Sequence, residues 1–320
     1  MNEYRLLWNW YKNDIYSLNY TELRWYSYYR GQAGRLEFSC LWGDTFSNRP
    51  DLQPGQMVTL WCGSTPVFRG YIFEVDYENG RYKVVCYDQT RYLLNKDSRI
   101  FYKQKASDIV KSILNCCGLP MGSMAEVAYT IPLLSFEGTA YLDMIGTALH
   151  EAEKRLNKRY VLYDKHGLLT LTALQNTALN IKLTGENAVF AADCKVSIDE
   201  EVYTEAKLTQ YAVDNPGHRS YTAVSYSNAA KYGRLRYYQQ VDKDYNSAQV
   251  QSLAKSILAY HSSPKQAIYL SALGDINCRA GFRPYIYLPQ IGIDGSYLIR
   301  SAEHIISGDT GHIMNLECVK

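Results

Sequence analysis

Between residues 67 and 88 the chain reads VFRGYIFEVDYENGRYKVVCYD, with apolar and charged positions alternating on both sides of Asn79-Gly80. A period of two marks a strand with one buried face. Asn-Gly is the strongest two-residue hairpin signal, because both central positions of a type I′ turn need positive φ. With that turn, Glu78 faces Arg81, Tyr77 faces Tyr82, Asp76 faces Lys83, Val75 faces Val84 and Phe73 faces Cys86. One face then carries Glu74, Asp76, Glu78, Arg81 and Lys83, and the other Phe73, Val75, Tyr77, Tyr82, Val84 and Cys86. A slip of one residue would bury the charges, so the pattern fixes the register.

The same alternation predicts strands in GRLEFSCLW (34–42) and MVTLWC (57–62), separated by the turn-rich DTFSNRPDLQPGQ, with DQTRYLLN (88–95) closing the block. The period then changes to that of a helix. SDIVKSILNCC (107–117) places Ile109, Val110, Ile113, Leu114 and Cys117 on one face, with Ser107 as N-cap and Gly118 as stop. TAYLDMIGTALHEAEKRLN (139–157) does the same with Leu142, Ile145, Leu149, Ala152 and Leu156. RYVLYDKHGLLTLTAL (159–174) reads as two strands around an Asp164–Gly167 turn. Strands resume with KVSIDEEVYTEAKLTQYAV (195–213) and YTAVSYS after the loop DNPGHRS. SAQVQSLAKSILAY (247–260) is a helix burying Val250, Leu253, Ala254, Ile257 and Leu258.

The tail echoes the beginning. LQPGQMVTLW (52–61) returns as CRAGFRPYIYL (278–288), VFRGYIFEV (67–75) as DGSYLIRSAEH (294–304), and ENGRYKVVCYD (78–88) as DTGHIMNLECV (309–319). The expectation is an α+β, β-rich chain with a duplicated module. A first small tube-like β-barrel would span residues 1–95, an α+β insert 96–195, and a second barrel 196–320, carrying the helix near 247–260.

Composition changes this picture little. The 320 residues hold 47% hydrophobic and 21% charged residues, enough for a substantial core, and a net charge of +2 gives no whole-chain signal for a polyanion. Thirty tyrosines favour strands and interfaces. The start, MNEYRLLWNWYKND, does not read as a signal peptide, and no run of apolar residues is long enough to span a membrane. The eight cysteines, Cys40, Cys62, Cys86, Cys116, Cys117, Cys194, Cys278 and Cys318, form no CxxC and read as reduced thiols of a protein made in the cytosol. Cys116 and Cys117, adjacent on a helix, are expected as one buried and one boundary thiol.

No catalytic, cofactor-binding or metal-ligating residue is nominated. His150, His166, His218, His261, His304 and His312 lack zinc-site spacing. His304 and His312 can meet across the last hairpin, and are expected as half-exposed strand histidines. Asp199, Glu200 and Glu201 are the densest acidic cluster, but Asp199 and Glu201 on one strand face make a solvated surface rather than a pair of carboxyls across a cleft. GQAG (31–34) leads into a strand, so it is a turn rather than a phosphate cradle. Arg91, Lys96, Arg99, Lys103, Lys105 and Lys111 are set against Asp97 and Asp108, a modest excess that reads as a solvated face rather than a specific nucleic-acid site.

The succession AGRLEF, PGQMVTL, VFRGYIFEV, VVCYDQTRYLLN, ASDIVKSIL and GSYLIRSAEHIISGDTGHIMNLECV resembles the baseplate hub proteins of contractile phage tails, including those of defective prophages and R-type tailocins of Gram-positive bacteria. The resemblance runs over nearly the whole chain and rests on strand patterns and glycine positions. It implies two tube-like barrels with inserted domains, a homotrimer, and a pseudo-sixfold ring that joins a hexameric tail tube to a trimeric spike. Tape-measure and baseplate wedge proteins are further candidate partners. It implies no cofactor, and a place first in the bacterial cytoplasm and then in the tail tip of a particle. Some related hubs carry a fused lysozyme-like or peptidase domain, for which this chain shows no room. Two alternatives stay open: a cell-wall-degrading tail enzyme, and a carbohydrate- or nucleic-acid-binding β protein.

Overall fold

The computed structural model describes residues 3–9, 15–41, 51–199, 201–211, 218–241, 245–261, 263–309 and 311–320. The chain divides into two compact units, one of Met1–Asp193 with Ile268–Val319, the other of Cys194–Ala267.

The larger unit opens with β1 (Tyr4–Asn9), β2 (Ile15–Leu18), β3 (Tyr20–Tyr28), β4 (Arg35–Leu41), β5 (Met57–Cys62), β6 (Thr65–Glu78) and β7 (Arg81–Tyr87). Alternation is strict where one face is buried. β4 buries Leu36, Phe38 and Cys40, and β5 buries Val58, Leu60 and Cys62. With Leu6, Trp8, Leu23, Trp25, Ile72, Val84 and Cys86 they make one core.

Asn79 and Gly80 have φ of 51° and 77°, as a type I′ turn requires. The pairs Glu78–Arg81, Tyr77–Tyr82, Asp76–Lys83 and Val75–Val84 form as the charge pattern dictates. Phe73 does not face Cys86. Ile72 does, and Glu74 faces Val85, because a β-bulge inserts Phe73 between them. Phe73 therefore leaves the core and packs at an angle of 87° on Tyr87, with Arg91 over its ring.

A 3-10 turn over Gln89–Leu94, capped by Asp88, leads to β8 (Lys96–Lys105), α1 (Ala106–Cys116), β9 (Met121–Met124), β10 (Thr130–Ala140), α2 (Tyr141–Leu156), β11 (Tyr160–Lys165) and β12 (Leu168–Ala173). The apolar faces of α1 and α2 meet in a second core of Ile109, Val110, Ile113, Leu114, Met144, Ile145 and Leu149. Ser107 is not the cap of α1. The helix starts one residue earlier behind Lys105, and Ser107 is buried within its first turn. Cys116 is exposed and Cys117 half-buried, so both thiols sit further out than expected.

The chain continues through β13 (Ala178–Thr184) and β14 (Val189–Ser197). The smaller unit then sets β15 (Glu205–Tyr211), β16 (His218–Val224), α3 (Tyr226–Tyr232), β17 (Arg236–Val241) and α4 (Ser247–His261) around a core of Ala206, Leu208, Val250, Leu253, Ala254 and Ile257. The segment 195–213 is not one strand but two, β14 and β15. Asp199 and the positive-φ residue Glu201 lie in the break, so they share no strand face; Glu200 and residues 212–217 lie outside the described residues.

β18 (Lys265–Leu273), β19 (Arg283–Leu288), β20 (Ile293–Ser296), β21 (Leu298–Ser307) and β22 (Gly311–Val319) complete the fold. One sheet runs β14-β18-β22-β21-β3-β4-β7-β6-β5-β1-β2. Within it the order β3-β4-β7-β6 recurs as β14-β18-β22-β21. The repeat extends to single hydrogen bonds. Gly55 N–H donates to Ile72 O (2.8 Å) and Ile72 N–H to Gln56 O (2.9 Å); Gly281 N–H donates to Ile299 O (2.8 Å) and Ile299 N–H to Phe282 O (2.9 Å). Gly55 and Gly281 take φ of 91° and 86°, where a side chain would be strained. The bulge repeats too. Ile72 pairs with Cys86 and Glu74 with Val85; Ile299 pairs with Cys318 and Ser301 with Glu317. The copies differ where β13 runs parallel to β19, while β1 runs antiparallel to β5.

Candidate functional site

The two copies of the β module are joined through β3 and β21, antiparallel from Ser301–Tyr28 to Ser307–Glu22. Two buried polar clusters lie along this seam. In the first, His304 Nε2 lies 3.1 Å from Cys278 O, His304 Nδ1 lies 2.9 Å from His312 Nε2, and Tyr4 Oη lies 2.7 Å from His312 Nδ1. A carbonyl only accepts, and with both rings held neutral by burial that places every proton. His304 donates from Nε2, so its Nδ1 accepts from His312 Nε2–H, and His312 Nδ1 accepts from the Tyr4 hydroxyl. Both rings are neutral. Burial pushes His304 down to about 3, helped by the neighbouring His312, and pushes His312 down to about 4. Trp25 stacks on His304 at 4.8 Å, and His304 is fully buried, not half-exposed.

The second cluster gathers the first module, the α+β insert and the second module. Asp88 accepts from Thr90 N–H (2.9 Å), and Asp164 accepts from Gln89 N–H (3.1 Å). Burial raises both carboxyls, and for Asp88 the charge of Asp164 adds to it. The Arg279 guanidinium opposes that rise. It lies over Tyr163 at 4.8 Å and Trp25 at 5.6 Å, with its Nε enclosed and making no hydrogen bond, although part of the residue reaches solvent. Nearby, Ala280 N–H donates to Ser27 Oγ (2.9 Å) and Tyr29 O–H to Tyr160 O (3.1 Å). The chemistry here is that of a joint: Gln89 N–H to Asp164, Ala280 N–H to Ser27 and Tyr29 O–H to Tyr160 O tie three parts of the chain together, with the Arg279 charge beside the two carboxyls.

Gly34 makes the close approach possible, since a Cβ there would fall on the Asp88 carboxylate. Gly34→Ala is expected to destabilise the protein by about 2 kcal/mol, the cost of forcing a packed group aside. Thermal denaturation of the variant checks this; an unchanged midpoint would contradict the packing described.

Other residues weighed from the sequence are dispersed. His150 lies 3.8 Å from Glu153, His166 sits in the β11–β12 turn and contacts Pro66 O, and His261 Nδ1 lies 2.9 Å from Glu201 O. The His218 side chain lies outside the described residues. Among the described residues no group of three or more His, Cys, Asp or Glu is placed to hold a metal, and no helix is long and apolar enough to cross a membrane. Arg99 pairs with Asp97 (2.8 Å), Lys105 with Glu126 (2.6 Å) and Lys111 with Asp108 (3.8 Å), while Arg91 caps rings. The Asp88–Asp164–Arg279 cluster escaped the sequence reading. Its one local signal is Asp88-x-Thr90 ahead of a turn, an Asx-type cap.

The structure superimposes on the crystal structure of the 43 kDa tail protein of prophage MuSo2 from Shewanella oneidensis with a TM-score of 0.72 at 14% identity, covering 99% of this chain and 98% of that one. The chain belongs to the YQBQ-like family, whose model matches residues 23–319. It is 31% identical over 264 residues to the uncharacterized protein YqbQ of Bacillus subtilis, and 29% identical over 264 residues to the phage-like element PBSX protein XkdQ of the same organism. Each match covers 81% of this chain and 79% of the relative. The likeness to baseplate hub proteins read from the strand pattern stands, and the fold is shared with a solved prophage tail protein.

Proposed function

We propose that the chain is the structural hub of a contractile tail baseplate. Three copies with two alike modules each present six similar units, so one ring meets a hexameric tail tube on one side and a trimeric spike on the other. The observation that supports this is the repeat itself, down to the bulge at Ile72–Glu74 and its counterpart at Ile299–Ser301. On this reading the first module spans residues 1–95, the α+β insert 96–195 and the second module 196–320, within which Cys194–Ala267 forms a compact unit of its own. The role needs no catalytic residue and no cofactor. Assembly would take place in the bacterial cytoplasm, and the finished hub would sit in a phage or tailocin-like particle.

Light scattering is expected to give a mass about three times the 36.7 kDa chain. Co-expression with the tube protein of the same gene cluster is expected to yield tubes capped at one end. A monomer that hydrolyses cell wall would favour the tail-enzyme reading and overturn this one.

A further inference from the structure

The corner where the first module passes into the insert holds more acid than its surroundings can neutralise by contact. Asp88 and Asp164 are only 7% and 5% exposed. Charged carboxylates out of water need a cation against them. Among the described residues neither makes an ion pair, and Arg279 reaches both only through its charge.

The two acids are held differently. Asp164 accepts from Gln89 N–H at Oδ2 and from Gly167 N–H at Oδ1. Backbone donors on both oxygens favour the charged form. Asp88 accepts from Thr90 N–H and the Thr90 hydroxyl, both at Oδ1. Its Oδ2 lies against Gly34, beside a cavity of about 30 Å³ lined by Gly34, Asp88, Thr90, Asp164 and Arg279. That volume admits a water molecule, which opens a route for a proton. Burial and the charge of Asp164 raise Asp88 to about 7. Further charges act around the pair. His166, in the β11–β12 turn with Lys165 next to it, faces Asp164; Tyr163 and His304 face Arg279; Arg30 lines the cavity and is paired with Glu153.

This corner also ties the parts together. Asp88 N–H donates to Gly34 O (3.0 Å), Gly34 N–H to Thr90 Oγ (3.1 Å), and Gln89 N–H crosses to Asp164 of the insert (3.1 Å). We propose that Asp88 is a proton-operated latch between the first β module and the α+β insert: as a neutral acid it lets the 88–90 corner close on Asp164, and as a carboxylate it drives that corner out into water. On opening, the O–H bond at Oδ2 breaks, the electron pair stays on the carboxylate and the proton goes to solvent. The latch lies within one chain and does not depend on the multimer reading.

The sign follows from linkage. The closed acid keeps its proton up to about 7, and the opened one only up to the ordinary carboxyl value of about 3.9. Closing therefore takes up a proton between those values. Opening grows with pH by up to roughly tenfold per unit across that window and levels off above it.

Hydrogen exchange of the full chain tests this at the Gln89 and Thr90 amides, after correction for the intrinsic pH dependence of exchange. Protection in the wild type is expected to fall by roughly tenfold or more between pH 5 and 7, and then to level off. Asp88→Asn, the neutral isostere, is expected to remove that fall and to protect the corner roughly tenfold better than the wild type at pH 7.5. Infrared spectroscopy of the wild type is expected to show a carboxyl that keeps its proton at pH 6 and loses it by pH 9. Should Asp88→Asn misfold, the infrared titration and the wild-type exchange decide. Protection that is equal at pH 5 and 7, a fall of the same size in both proteins, or no carboxyl titrating between pH 6 and 9 overturns the latch.

Discussion

Arg279→Met is expected to lose about 3 kcal/mol of stability at neutral pH, the lower end of what leaving buried charge uncompensated costs, because part of the arginine reaches solvent. The loss should grow with pH. Asp88 and Asp164 already hold their protons more tightly than ordinary carboxyls, through burial and, for Asp88, the charge of Asp164. Removing the guanidinium raises them further. A carboxyl raised in the fold contributes its full share of stability only below its unfolded value, and that share is lost as pH rises through the folded value. Urea denaturation should therefore show a smaller deficit at pH 5 than at pH 8. Equal deficits would mean that Arg279 acts by packing on Trp25 and Tyr163 alone.

The histidine chain has the opposite sign. His304 and His312 are held at about 3 and about 4 in the fold, below the ordinary imidazole value of 6.5. Between those limits the unfolded chain binds more protons, so stability rises with pH and falls on acidification. Each histidine contributes a slope of up to about 1.4 kcal/mol per pH unit. Asp88 and Asp164 pull the other way, so the clean measurement is a difference between proteins. His304→Gln keeps a donor for Cys278 O and is expected to lose about 1 kcal/mol at pH 7.5. It should also flatten the dependence between pH 4.5 and 6 by about 1.4 kcal/mol per unit. Denaturation midpoints across that range check it, and parallel curves for the two proteins would refute the neutral pair.

Much of this fold is legible locally. Asn79-Gly80 forces its turn, the helical spacing of Ile109, Val110, Ile113 and Leu114 forces a buried face, and the echo of Gly55 in Gly281 marks the repeat. The bulge was invisible, because alternation in VFRGYIFEV admits either Ile72 or Phe73 as the inward residue, and only the partner strand decides. The break between β14 and β15 was missed because alternation continues on both sides of it. The helix α3 buries no residue, so it carried no apolar stripe to read. The seam escaped for another reason. Arg279, Asp88 and Asp164 come from three distant parts of the chain, and His304 reads as a strand residue until Trp25 lies against it.

The order of strands has a consequence for synthesis. β22, which ends at Val319, lies between β18 and β21 in the middle of one half of the sheet, and Tyr4 waits for His312. At about 5–20 residues per second, a ribosome takes roughly half a minute to deliver that strand. Until then β21 lacks its hairpin partner, and the second half of the sheet has no centre to form around. A polypeptide that lacks β22 leaves β18 and β21 without the strand that joins them.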